Sequence, residues 1–137
     1  MYIPTTQLSQ GGLWNTYTPS WTSTGTQPAV VDGTLLGNYT QIGGLIVAKV
    51  SLTIGASTTF GTGSYSMSLP VAEDSTVGFS AGPGIAFDSN PGVVYIVHWR
   101  AAALLSNASP IATLSPSVPF TWASGDQLQL TITYKTT

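Results

Sequence analysis

The chain has 137 residues, of which only 6% are charged, and its formal net charge at pH 7 is -2. This length fits one domain, and a hydrophobic content of 42% is enough to form a packed core. Three basic residues cannot neutralise a run of phosphates, so we expect no nucleic-acid partner and no polybasic binding to a membrane. The absence of cysteine excludes disulfides, thiolate catalysis and cysteine-ligated zinc.

The N-terminal segment differs from the rest of the chain. Residues 1–12 are mostly polar and end at Gly11-Gly12, which predicts an attachment arm joined to a single β-domain over residues 13–137. The segment has no basic region followed by a long apolar run, so we expect neither a signal peptide nor membrane insertion. The arm residues that we expect to make attachment contacts are Tyr2, Ile3, Pro4 and Leu8.

Apolar and polar residues alternate with period two over residues 45–54, 64–69 and 127–134, which predicts antiparallel strands with one buried face. Residues 93–99 are apolar on both faces and predict a central strand. Shorter strands are expected over residues 14–21, 37–42, 77–79, 101–105 and 118–122. The residues predicted to face the core are Ile46, Val50, Leu52, Ile54, Leu128, Leu130 and Ile132.

Turn signals separate these segments. They are Asp32-Gly33, Gly43-Gly44, Gly61-Thr62-Gly63, Gly82-Pro83-Gly84, Asn90-Pro91-Gly92 and Gly125-Asp126. A short helix could fit only over residues 100–105, where alanine and leucine favour it and a surrounding sheet could override it. Many short strands between such turns predict an all-β fold, an antiparallel β-sandwich or jelly-roll-like domain.

The sharpest motif is Gly78-Phe79-Ser80-Ala81-Gly82, which fits G-x-S-x-G. Asp88 and His98 follow Ser80 in the chain order of an α/β-hydrolase triad. That triad needs its serine on a strand-to-helix elbow of a large parallel sheet, and Gly82-Pro83-Gly84 cannot begin a helix there. We therefore expect a glycine-flanked loop and no catalytic residue, with a small serine hydrolase as the remote alternative.

The other polar candidates indicate no metal or cofactor. His98 is the only histidine, and its apolar neighbours favour a structural strand residue. Asp32 and Asp126 adjoin glycines and are typical of turns, while the adjacent pair Glu73-Asp74 does not by itself define a cleft. The chain has no D-x-D-x-D-G spacing for calcium, so we expect no metal site.

Several stretches carry a resemblance to a known type of module. They are Trp14-Asn15-Thr16-Tyr17-Thr18-Pro19-Ser20-Trp21-Thr22, Leu36-Gly37-Asn38-Tyr39-Thr40-Gln41-Ile42-Gly43, Leu52-Thr53-Ile54-Gly55, Thr58-Thr59-Phe60-Gly61-Thr62-Gly63-Ser64-Tyr65, Ser68-Leu69-Pro70, Pro119-Phe120-Thr121-Trp122-Ala123-Ser124-Gly125-Asp126 and residues 128–134. From Trp14 onward, about nine tenths of its length, the chain resembles a small β-rich virion module of tailed bacteriophages. The module is of the type that ends tail-fibre and minor tail proteins in phages of actinobacteria.

The resemblance implies exposed loops within residues 71–118, where the match is weaker. The residues that we expect in such contact loops are Phe79, Ser80, Phe87, Asp88 and Asn90.

The resemblance also implies a non-enzymatic structural protein of the virion surface, assembled in the host cytoplasm and released by lysis. Modules of this type usually follow a long shaft, whereas this one begins after twelve residues, which favours a trimeric capsid decoration protein anchored by the arm. The alternative is a tail-fibre or baseplate knob that binds a host receptor. The expected partners are a homotrimer of the chain, a major capsid protein or a baseplate or tail protein, and a host surface glycan.

Overall fold

The computed structural model describes residues 13–78, 80–101, 103–106 and 112–137, and the predicted arm lies outside the described residues. The strands are β1 (Trp14–Tyr17), β2 (Trp21–Ser23), β3 (Thr34–Ile42), β4 (Leu45–Thr53), β5 (Tyr65–Met67), β6 (Ala81–Asp88), β7 (Val93–Arg100), β8 (Ala103–Ser106) and β9 (Gln127–Lys135). Within the described ranges, no helix is long and apolar enough to cross a membrane.

The nine strands form one antiparallel sheet in the order β1-β3-β4-β9-β6-β7-β8-β5-β2. The all-β antiparallel prediction is confirmed. The domain that the sequence predicts as a sandwich is a single curled sheet. Each strand in it is hydrogen-bonded to the next, from one edge to the other.

The curl brings the two edges of the sheet together. β1 and β2 lie at opposite edges, yet only residues 18–20 join them. The Tyr17 hydroxyl donates to the Ser68 carbonyl at 3.1 Å, and the backbone N–H of Ser20 donates to Ser68 Oγ at 2.8 Å. These bonds connect the segment after β1 to the segment after β5, so the sheet wraps around its own inner face.

The inner face forms the core. All seven residues predicted to face the core are buried, each with no more than 2% exposure. They belong to β4, β9 and the residue after β4, where alternate side chains point inward because a strand has period two. Trp99 closes this core from β7, and its indole N–H donates to the Met67 carbonyl at 3.0 Å.

The predicted turn at Gly82-Pro83-Gly84 is wrong, because these residues lie inside β6. A Cβ on Gly82 would lie 1.9 Å from the Thr131 carbonyl oxygen, and a Cβ on Gly84 would lie 2.6 Å from the Gln129 carbonyl oxygen. The glycines therefore allow β6 to lie close against β9. The register of β6 with β9 begins at Gly84, so Pro83, which has no N–H, precedes that pairing.

Two other predicted strands differ from the structure. The strand expected over residues 14–21 is broken at Thr18–Ser20, because Pro19 has no N–H and packs on Gly37, where a Cβ would lie 2.6 Å from Pro19 Cγ. Residues 118–122 form no strand. The Trp122 indole donates to the carbonyls of Ser115 and Val118, at 3.0 and 3.3 Å, and holds this stretch in a loop.

The remaining differences lie where β6 begins and β7 ends. Val77 is 88% exposed in a turn, so the strand expected over residues 77–79 does not form in its described part, and Phe79 lies outside the described residues. The helix considered over residues 100–105 is absent. Ala101 adopts a φ of 51° in a turn between β7 and β8, whose pairing overrides helix propensity.

Candidate functional site

The three residues of the hydrolase-like pattern lie apart. Ser80 immediately precedes β6 and Asp88 ends it, a separation of about 26 Å at about 3.3 Å per strand residue. His98 faces Pro83 across the β6–β7 ladder, about 10 Å along the strand from Ser80 and about 16 Å from Asp88. Ser80 is instead a structural residue, whose backbone N–H donates to Glu73 Oε1 and whose carbonyl accepts from Ala101. The structure does not bring these three residues together.

The predicted contact-loop residues divide between a strand and a turn. Phe87 and Asp88 are half-buried strand residues of β6, because β6 continues through the sequence that predicted a loop. Asn90 is exposed in the β6–β7 turn, where its N–H donates to Asp88 Oδ1 at 3.3 Å. Ser80 is half-buried and Phe79 lies outside the described residues, so Asn90 alone among the described candidates is an exposed turn residue.

Asp126 fixes the lower end of the sheet, where β9 begins and the β6–β7 turn lies. Its side chain is almost completely buried and accepts from the N–H and Oγ of Ser89, at 2.8 and 2.9 Å, and from the N–H of Ala123, at 2.6 Å. Asp126 is thus more than the turn residue that its glycine neighbour indicated, since it links two separate loops.

The acidic pair Glu73-Asp74 serves the opposite, upper end. Asp74 accepts from the N–H of Thr76 at 3.0 Å and pairs with Lys135 at 3.1 Å. Hydrogen bonds from Thr76, followed by the bond and charge of Lys135, lower the pKa of Asp74 to about 2. Glu73 is bonded to the Ser80 backbone, so the two carboxylates have separate structural partners. Within the described ranges, no group of three or more histidine, aspartate or glutamate residues could hold a metal ion.

The outer face of β6 and β7 carries an apolar patch, which we define as Ile85, Phe87, Val94 and Ile96. Ile85 pairs directly with Ile96, and Phe87 pairs with Val94. Ile85, Val94 and Ile96 are 37%, 53% and 50% exposed, whereas Phe87 is half-buried. The patch therefore presents four contiguous hydrophobic side chains on a face of the sheet opposite the core.

The exposure of this patch is unexpected from the sequence of β7. A strand that is apolar on both faces is typical of a strand covered on both faces. In this chain the inner residues Val97 and Trp99 are fully buried, but the outer residues Val94 and Ile96 are half exposed. The second apolar face of β7 therefore has no cover among the described residues.

A second feature lies beside the patch, on the outer face of β3, β4 and β9. We define the polar groove as Thr16, Leu36, Asn38, Lys49, Ser51 and Gln129, which line a depression of about 670 Å³. Thr16 pairs with Asn38 and Asn38 with Lys49, while Ser51 pairs with both Leu36 and Gln129. Gln129 Nε2 donates to Ser51 Oγ at 2.9 Å, so part of the groove is already ordered by its own hydrogen bond.

Tyr17 lies on β1 beside the polar groove, but its ring turns to the inner face and packs against the core. Its ring meets Tyr39 edge-on at 6.0 Å, and its hydroxyl is bonded to the Ser68 carbonyl. Gly37 makes room for this ring, because a Cβ there would lie 2.7 Å from Tyr17 Cε1. Burial, with a smaller contribution from Tyr134, raises the pKa of Tyr17, so the phenol stays protonated.

The patch and the groove adjoin each other. A smaller depression of about 390 Å³ is lined by Lys49 and Gln129 from the groove and by Ile85 and Ile96 from the patch. The two surfaces differ in chemistry, since the patch is wholly apolar, whereas the groove combines hydroxyls, amides and one amine with the apolar side chain of Leu36.

Neither surface is predicted from the sequence, although one residue of each stands out in it. Lys49 is the one charged residue on the polar face of the alternating segment 45–54. Ile96 belongs to the segment that was predicted to be covered on both sides. Neither signal identifies a surface until the register places Gln129 beside Ser51 and Ile85 beside Ile96.

Comparison with known proteins identifies no relative of this chain. No protein-family model, no curated protein and no solved structure matches this chain.

Proposed function

We propose that this chain is a non-enzymatic structural protein of a phage particle surface, a trimeric capsid decoration protein that assembles with copies of itself and is anchored by residues 1–12. The resemblance of residues 14–137 to phage virion modules supports the location. The observation that carries the self-association is the apolar patch of Ile85, Phe87, Val94 and Ile96, whose four side chains are contiguous on the outer face of β6 and β7.

Burial of the apolar patch drives the proposed association. Removing apolar surface from water contributes about 25 cal/mol per Å². The patch contains no charged side chain, so identical copies can approach around a symmetry axis without like-charge repulsion. A closed symmetric assembly buries the same face in every copy, which would give β7 the cover that its two apolar faces indicate.

The non-enzymatic part of the proposal is supported by the separation of Ser80, Asp88 and His98. A serine triad needs its hydroxyl, imidazole and carboxylate within hydrogen-bonding distance of one another. Ser80 and Asp88 are at opposite ends of one strand, which is incompatible with that geometry.

A receptor-binding knob on the tail is the second candidate function. It is favoured by the polar groove, a depression of about 670 Å³ in which side chains are held by their own hydrogen bond. Stabilising a capsid does not by itself require such a depression. Depressions of about 300–1,000 Å³ are typical of small-ligand sites.

Sedimentation of the isolated chain tests the self-association. We expect the wild-type protein to sediment at three times its chain mass of 14.2 kDa, and we expect Ile96→Lys to sediment as a monomer because each interface would bury a charge. Thr133→Lys is the matched control, since Thr133 is exposed on the outer face of β9 away from the patch. A wild-type protein that remains monomeric at high concentration would refute the proposal, as would an Ile96→Lys protein that remains a trimer.

A further inference from the structure

We infer that the polar groove binds an acidic saccharide, with Lys49 paired to a sugar carboxylate. The inference goes beyond the proposed structural role and does not depend on self-association, because it rests on β3, β4 and β9 and not on the apolar patch. If the chain is the receptor-binding knob of the second candidate function, an acidic saccharide is the class of receptor that the groove binds.

Lys49 is the first observation behind this inference. It lies on β4, with Asn38 and Thr131 as its neighbours across the two adjoining ladders, so its cross-strand partners are neutral. The ion pair found among the described residues joins Lys135 to Asp74 and does not include Lys49. An anion brought by a ligand would therefore meet an amine that has no internal carboxylate partner in the described part of the chain.

The groups around Lys49 are the second observation. Thr16, Asn38, Ser51 and Gln129 place hydroxyls and amides on four neighbouring strands, about 4.8 Å apart from one strand to the next. Such groups both donate and accept hydrogen bonds, which matches the hydroxyls of a sugar. Leu36, which is 66% exposed on the outer face, supplies apolar contact for the carbon-bound hydrogens of a sugar ring.

Other ligand classes fit the polar groove less well. A nucleic acid would need several cations, and Lys49 is the one cation that lines this depression. A peptide that binds by strand addition needs a free strand edge, and β4 and β9 at the floor of the groove are each paired on both sides. The edge strand β1 lies at the rim of the groove, so a peptide added there would pair its backbone two strands away from Lys49. A ligand must therefore be recognised there mainly through side chains.

Binding to an immobilised saccharide array tests the inference. The array carries oligosaccharides that contain galacturonate, glucuronate or sialate, each printed beside its carboxyl methyl ester, and multivalent display makes weak binding detectable. We expect the wild-type protein to bind at least one acidic member and to bind its ester about tenfold less well, because the ester lacks the charge-assisted bond.

Matched variants assign the binding to the polar groove. Lys49→Met should lose about tenfold in binding, as the ester does, and Asn38→Ala should lose less. Lys135→Met is the control, because Lys135 is 64% exposed and its partner is Asp74 at the upper end of the sheet. Melting temperatures equal to that of the wild type verify that each variant is folded.

Four results would overturn the inference: no acidic member is bound, the esters bind equally well, Lys49→Met binds like the wild type, or immobilised polyglutamate binds as strongly as the saccharides. Val94→Lys, which disrupts the apolar patch outside the depression that Ile96 shares with Lys49, should keep its saccharide binding. Its behaviour separates a failure of the groove from a failure of the proposed self-association.

Discussion

Leu130→Ala is expected to lower the free energy of unfolding by about 2–5 kcal/mol, as truncations of buried leucines do. Leu130 lies at the centre of the sheet, where it pairs with Val50 on one side and Gly84 on the other, and it is 2% exposed. A Cβ on Gly84 would lie 2.8 Å from Leu130 Cδ2, so the leucine side chain fills the space that this glycine leaves. Its truncation therefore creates a cavity between three strands.

Denaturant unfolding measures this effect, with Thr131→Ala as the matched control. Thr131 is the next residue on the same strand, and its side chain points to the outer face. We expect the control to change the free energy of unfolding by less than about 1 kcal/mol. A loss at Leu130 of under about 0.5 kcal/mol would contradict the assignment of the inner face.

Asp126→Ala is expected to have the second largest effect, a loss of about 2–4 kcal/mol. The substitution removes the carboxylate that accepts from the Ser89 and Ala123 backbone N–H groups, and a hydrogen bond to a charged group contributes about 1.5–3 kcal/mol. It also removes the bond from Ser89 Oγ, so the β6–β7 turn and the loop before β9 lose their common attachment.

Asp88→Ala is the control for this prediction. Asp88 lies in the same hairpin, but its carboxylate accepts a bond of 3.3 Å from Asn90, so we expect a loss below about 1 kcal/mol. Hydrogen exchange supplies a local readout, since the amides of Ser89 and Ala123 should exchange faster in Asp126→Ala. Equal effects of the two substitutions would show that Asp126 does not link the loops.

The parts of the fold that could be predicted from sequence are those whose signal is local. β4 and β9 follow a strict alternation of apolar and polar residues, and their inner faces were predicted residue by residue. The pairing of β4 with β9 leaves alternate side chains on the same face, so the predicted inner face is the one observed.

The parts that could not be predicted depend on distant residues. Gly82-Pro83-Gly84 has the composition of a turn, and only the closeness of β9 explains why glycines are needed inside a strand. The polar groove likewise combines Thr16 with Gln129, residues that are far apart in sequence and meet through the ladders of β1, β3, β4 and β9. No pattern within one segment contains that information.

Thiol labelling at position 96 tests the central claim, that the apolar patch is the self-association surface, most directly. The chain has no cysteine, so Ile96→Cys and Val77→Cys each introduce one thiol, on the patch and at a site that is 88% exposed. In the oligomer, we predict that maleimide labels position 96 several-fold more slowly than position 77, and that dilution to the monomer speeds labelling at position 96 without changing it at position 77. Equal labelling rates at the two positions in the oligomer would contradict the claim.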